Sequence, residues 1–128
     1  MSKLEAVTAQ FEKALQRLKE VLSLEKNDLV RDSAIQRFEF TLDLSWKMVK
    51  AYLEEKKGIV CHSPKECFKE AYRQGLIEYD DYWLKLVDLR NEAAHSYNEE
   101  TAEKIFAELG QALNHFEALC LSVQKDKT

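Results

Sequence analysis

This sequence predicts an all-α fold, an up-and-down four-helix bundle with one additional short helix. Three observations support the prediction. Apolar residues recur at three- and four-residue steps over four long segments, the mark of amphipathic helices. Only three glycines and one proline occur in 128 residues, too few for a turn-rich β architecture. The segments are joined by short connections, which make successive helices antiparallel neighbours. At this length, and with 45% hydrophobic residues, the chain can bury a proper core.

The first helix carries Leu4, Val7, Phe11, Ala14, Leu15, Leu18, Val21 and Leu22 on one stripe and stops near Leu24. Asn27 or Asp28 caps a second, longer helix whose buried edge is Ala34, Ile35, Phe38, Leu42, Ser45, Trp46, Val49 and Leu53. It ends at Lys56-Lys57-Gly58, where the cations suit the negative end of the helix dipole and glycine permits a left-handed cap. Ser63-Pro64-Lys65-Glu66 then starts the short extra helix: Ser63 caps, Pro64 fits the first turn, and Glu66 can close a capping box. That helix runs to about Gln74 and stops at Gly75.

Asp80 or Asp81 opens the fourth helix, which carries Trp83, Leu86, Val87, Arg90 and Ala94 and ends around Tyr97. After Asn98 the fifth buries Ala102, Ile105, Phe106, Leu109, Ala112, Leu113, Phe116, Leu119, Cys120 and Val123. Residues 1–123 are expected to form one helical domain. Residues 124–128, with Lys125 and Lys127 solvated, are expected to be a frayed polar tail.

Nineteen basic against twenty-three acidic side chains give a formal net charge of −4, which is not the footprint of a general nucleic-acid binder. Any contact with RNA must be local. Cys61, Cys67 and Cys120 form no CxxC pair, and the N-terminus lacks an apolar signal core, so a soluble, disulfide-free, cytoplasmic protein is expected. No apolar run approaches the roughly 20 residues needed to span a bilayer.

The most informative segment is Arg90-Asn91-Glu92-Ala93-Ala94-His95-Ser96-Tyr97. It puts a permanent cation, an amide, an imidazole and a phenol within about two helical turns. With Arg90 at 0° and a step of about 100° per residue, Asn91 lies near 100°, His95 near 140° and Tyr97 near −20°. The long guanidinium arm and a helix ending near Ser96 can still bring Arg90 and His95 onto one phosphate, with small Ala93 and Ala94 leaving room. Arg90 would neutralise and orient a phosphodiester, and His95, titrating near neutrality, would move a proton to or from a ribose oxygen. Cleavage by an internal 2′-hydroxyl requires no metal. Cys61-His62 with Cys67 is the nearest approach to a ligand cluster, so neither metal nor other cofactor is expected. The competing reading pairs Arg90 with Glu92 or Asp88 and lets His95 and Tyr97 simply finish a helix, and spacing alone does not separate the two.

Arg90-x4-His95-x-Tyr97 resembles the RX4HXY signature of the HepT toxins, in the HEPN superfamily of helical domains. Arg31-Asp32-Ser33-Ala34-Ile35-Gln36-Arg37-Phe38-Glu39-Phe40, followed by Trp46-Lys47, resembles the second helix of the nucleotidyltransferase substrate-binding proteins, a branch of the same superfamily. The Ser63-Pro64 start, the Gly75-Leu76-Ile77 turn and the run from Trp83 to Asn91 fall in the family's order, so the resemblance covers nearly the whole chain. It implies a homodimeric bundle with the Arg-His motifs of two subunits lining a shared cleft, and a small MntA-like nucleotidyltransferase as partner and antitoxin. It also implies a metal-independent ribonuclease with Arg90 and His95 catalytic, Asn91 in support and Tyr97 as the site of adenylylation. AMP on Tyr97 would add bulk and negative charge beside Arg90, where substrate phosphate must sit.

Arg31, Asp32, Arg37 and Glu39 are polar positions in a buried pattern. They either reach a dimer cleft or nucleotide, or form a salt-bridge network holding the second helix. Trp46, Phe38 and Phe40 fall on helical spacing with aliphatic residues and are expected in the core or a dimer interface rather than as base-stacking platforms. His62 and His115 are expected to be surface or packing residues. Scattered cations near the motif, Arg73, Lys85 and Arg90, make a weak basic surface. The alternative function is therefore a non-catalytic subunit that binds a nucleotide or presents a substrate to its nucleotidyltransferase.

Overall fold

The structure, a computed structural model, describes residues 1–79, 81–95 and 97–125. Asp80, considered above as a helix start, Ser96, and residues 126–128 with Lys127 lie outside the described residues. The described residues form five helices in the order α1 (Lys3–Leu22), α2 (Asp28–Lys57), α3 (Pro64–Arg73), α4 (Asp81–His95) and α5 (Glu99–Lys125), and no strand. α2, the longest, packs against each of the other four, so it is the spine on which both ends of the bundle are built.

The caps follow from the residues at each boundary. Asn27, rather than Asp28, closes the start of α2, its side-chain oxygen accepting from the Val30 N–H at 2.8 Å. Gly58 ends α2 in the left-handed conformation at φ 66°, and the following Ile59 N–H reaches back to the Leu53 carbonyl at 3.0 Å. Ser63 caps α3 by accepting from the Glu66 N–H at 3.3 Å. Glu66 does not close the expected box onto Ser63; its carboxylate accepts from the N–H of His62, one residue earlier. Asn98 caps α5 through the Thr101 N–H at 2.9 Å.

Aromatic rings tie the five helices into one core. Phe116 of α5 meets Phe11 of α1 edge-on at 6.1 Å, Phe38 of α2 at 6.3 Å and Trp83 of α4 at 5.6 Å, while Trp83 stacks on Phe68 of α3 at 4.8 Å. Such pairs add about 0.5–1.5 kcal/mol each beyond the area they bury. His115 is a packing residue, stacked on Tyr82 at 4.0 Å, and burial pushes its imidazole below the ordinary range.

Several expectations change. Cys61 and Cys67 are joined by a disulfide, so the chain is not disulfide-free. The turn made by the Ser63 cap folds the chain back and brings two buried sulfurs together, a proximity that cysteine count and spacing do not reveal. In α4 the buried small residue is Ala93, with Ala94 exposed, because Leu86, Leu89 and Ala93 follow the stripe that faces the bundle. Of the two places expected for Phe40, core or dimer interface, the core is excluded, since the residue is exposed; Trp46 is half-buried. At the C-terminus, Gln124 and Lys125 belong to α5, and the Gln124 amide donates to Glu12 of α1 at 3.2 Å, which extends the helix beyond Val123. No helix among the described residues is long and apolar enough to cross a membrane.

Candidate active site

Four polar residues of α2 fall on one stripe. Asp32, Gln36, Glu39 and Asp43 follow one another at four-, three- and four-residue steps, so they share a face. α4 packs along this stripe and, with the residues just beyond it, supplies Arg90, Ala93 and Tyr97, which also recur at about one turn. Two adjoining grooves result. One, of about 330 Å³, is lined by Asp43, Trp46, Pro64, Arg90 and Asn91 among others. The other, of about 270 Å³, is lined by Asp32, Gln36, Glu39, Ala93 and Tyr97 with Ile35.

Arg90 does not pair with Glu92 or Asp88. Its Nε and Nη2 donate to the two carboxylate oxygens of Asp43, each at 3.0 Å, a two-pronged contact across helices. This hydrogen-bonded carboxylate, with Glu39 close behind, raises the affinity of Arg90 for its proton. Burial pushes the Glu39 carboxyl above its usual range, with Arg90 pulling the other way. Glu92 is bound instead by Lys104, and Asp88 by Lys65 at 2.7 Å.

Tyr97 leaves the end of α4 and folds back onto α2, where its hydroxyl donates to Asp32 Oδ1. Partial burial, and then this bond to Asp32, push the phenol up to about 12. The same bond, followed by contact with Arg31, holds the Asp32 carboxyl below its usual range. Asp32 in turn accepts from Arg31 Nε at 3.0 Å. Arg31 is 2% exposed, and its Nη atoms reach Glu99 at 2.8 and 3.1 Å and Glu103 at 3.0 Å, the first turns of α5.

The structure thus joins Arg90 to Asn91 in one groove and Tyr97 to Asp32 in the next, while His95 lines neither. His95 is the exposed last residue of α4. Within one chain the guanidinium is turned onto Asp43. Of the residues with two readings, Arg31 is the core of a salt-bridge network, Asp32 belongs both to that network and to the Tyr97 site, and Arg37 donates to the Arg17 carbonyl at 2.7 Å. Asp43, the partner of Arg90, is the residue of this groove that the sequence pattern did not single out. Its signal was the carboxylate repeat along α2.

Residues 2–125 match the family model described as nucleotidyltransferase substrate binding protein like. The chain belongs to that family. A curated member of the wider group, a Haemophilus influenzae protein named probable ribonuclease HepT, is 34% identical over 90 residues, covering 67% of this chain and 62% of that relative. This chain therefore spans somewhat under two thirds of that relative's length in the match. Among solved structures, a Thermus thermophilus protein is 40% identical with a TM-score of 0.83, covering 88% of this chain and 98% of its own. The tri-AMPylated HEPN toxin of Shewanella oneidensis, solved in complex with its MNT antitoxin, is 18% identical with a TM-score of 0.79, covering 98% and 99%. At that identity the likeness establishes the helical-bundle fold and nothing more.

Proposed function

We propose that this chain is a HepT-like, metal-independent ribonuclease of a HEPN/MNT toxin-antitoxin pair, acting in the cytoplasm as a homodimer. Its activity is silenced when an MntA-like nucleotidyltransferase transfers AMP to Tyr97. The observation that carries this reading is the complete Arg90, His95 and Tyr97 set at the solvent-facing end of α4, with the Tyr97 hydroxyl already seated on a carboxylate. The identity with the protein named probable ribonuclease HepT supports it.

In cleavage, the ribose 2′-oxygen attacks the adjacent phosphorus while its proton passes to a base. The 5′-oxygen of the next nucleotide leaves, and it takes a proton in turn. His95 moves these protons, which is typically worth about 10²- to 10⁴-fold in rate. Arg90, oriented by Asp43 and supported by Asn91, stabilises the charge that develops on the phosphoryl oxygens. A second copy supplies the missing proximity, because in one chain His95 does not share the groove of Arg90. In silencing, the Tyr97 oxygen bonds to the α-phosphorus of ATP, pyrophosphate leaves, and Asp32 takes the phenolic proton. Burial and the bond to Asp32 make the phenol resist ionisation in the free protein, so its proton leaves only as the bond to phosphorus forms.

The test is RNA cleavage by purified protein in EDTA. His95→Ala should abolish cleavage with the helical circular dichroism unchanged, and equal activity in that variant rejects the assignment. Co-expression with an MntA-like transferase should add whole AMP units to the intact mass, absent in Tyr97→Phe. A second reading, a non-catalytic subunit that binds substrate or nucleotide for its transferase, is favoured by one observation: the Arg90 charge is already met by Asp43. It requires a tight complex with the transferase and no RNA turnover.

A further inference from the structure

A further groove, of about 480 Å³, runs between α1 and α2 and is lined by Lys13, Arg17, Gln36, Arg37 and Phe40 with smaller neighbours. Lys19, Lys26, Arg31, Lys65, Arg73, Lys85, Arg90 and Lys104 each meet a carboxylate. The cations of the groove do not. Lys13, Arg17 and Arg37 make no ion pair with any described residue, and Arg37 is held at the groove by its bond to the Arg17 carbonyl. A chain with a net charge of −4 thus gathers three uncompensated cations around one cavity. Phe40 adds an aromatic ring at the same place, 55% exposed although it lies on the longest helix of the bundle. Gln36 lines this groove and also the groove of Asp32 and Tyr97, so the two are neighbours on α2.

We infer that this groove is a track for single-stranded RNA, with phosphates held by Lys13, Arg17 and Arg37 and a base stacked on Phe40, leading over Gln36 to the end of α4. The inference rests on the ribonuclease reading and names where its substrate lies before the scissile bond. An acidic peptide would use the cations but would leave the ring without a partner. A strand of RNA uses both, because phosphate charge and a flat base recur together along it. It also explains how an acidic protein retains RNA: the binding charge is local, as a stripe, and needs no basic total.

The experiment measures binding of a short fluorescein-labelled oligouridylate by anisotropy, at low and raised salt, in the His95→Ala background so that the probe stays intact. Lys13→Ala with Arg17→Ala should weaken binding at low salt at least about ten-fold and lower the salt slope by about 1.4, two phosphate contacts at roughly 0.7 each. Phe40→Ala should weaken binding about ten-fold with the slope retained, since a stacked base releases no counterion. Lys69→Ala, an exposed position on α3, should bind like the parent. Unchanged affinity in both groove variants overturns the inference, as does a parent that binds no oligouridylate. Light scattering is run alongside: if the groove variants turn a dimer into a monomer, this face is an interface between copies and the track is rejected. The two readings fail separately. Cleavage by the unmodified chain with groove variants that bind as well as the parent rejects only the track, whereas groove-dependent binding without cleavage in EDTA rejects only the nuclease.

Discussion

Arg31 and Arg90 are the same side chain in two electrostatic settings. Arg31 is 2% exposed and ringed by Asp28, Asp32, Glu99 and Glu103, so its donors are spent inside the protein. Arg90 is 32% exposed, meets Asp43 through two of its nitrogens, and keeps an Nη1 with no hydrogen bond to a described residue. The first is a clasp between α2 and α5. The second retains capacity for an anion. Charge alone does not make an arginine functional; the number of carboxylates already bound to it decides whether substrate can compete.

The sharpest way to break this comparison is to truncate each arginine. Arg90→Ala should cut RNA cleavage by about 10²- to 10³-fold, as loss of a charge-stabilising donor does, with little change in thermal midpoint. Arg31→Ala should do the reverse, giving the larger fall in thermal midpoint while activity per folded molecule is retained, because it strands Glu99 and leaves Glu103 with Lys26 alone. If Arg31→Ala lost activity and kept its stability, the assignment of the two roles would be inverted.

Reduction of the Cys61–Cys67 bridge, which closes the loop entering α3, should cost about 2 kcal/mol, the chain-entropy value for so short a loop, read by urea unfolding with and without dithiothreitol. A smaller loss is expected from Gly58→Ala, about 1 kcal/mol by the same measurement, because a Cβ is forced into the left-handed cap that ends α2. Acid sharpens the contrast further. Hydrogen bonds hold three carboxyls below the ordinary range, from Arg31 for Glu99, from Lys26 and then Arg31 for Glu103, and from Tyr97 and then Arg31 for Asp32. Their stabilisation is therefore present above the unfolded value, about 4, and is lost as pH falls through the lower folded values. A thermal midpoint followed from about pH 7 to about pH 3 should drop, and Arg31→Ala should flatten that drop.

Much of the bundle was legible from periodicity and caps. Leu4, Phe11, Leu15, Leu18 and Val21 recur as α1 must, and Asn27, Gly58, Ser63 and Asn98 stand where helices begin or end because their side chains or φ angles suit those positions. Phe40 lies outside the core because helical spacing marks a hydrophobic residue without saying which surface covers it. Arg90, His95 and Tyr97 were visible as residue types at a spacing. Their partners were not, since Asp43 lies 47 positions from Arg90 and Asp32 lies 65 from Tyr97, beyond the reach of any local pattern.

Local chemistry therefore specified where the helices start, which stripe of each turns inward, and which side chains near the end of α4 carry reactive groups. That information is short-range: a cap or an apolar repeat acts within a turn or two of the residue that bears it. Packing of α4 against α2 decided the rest, handing Asp43 to Arg90 and Asp32 to Tyr97 and leaving His95 in solvent. Those outcomes depend on distances between segments remote in the chain, and such distances exist only once the core has closed.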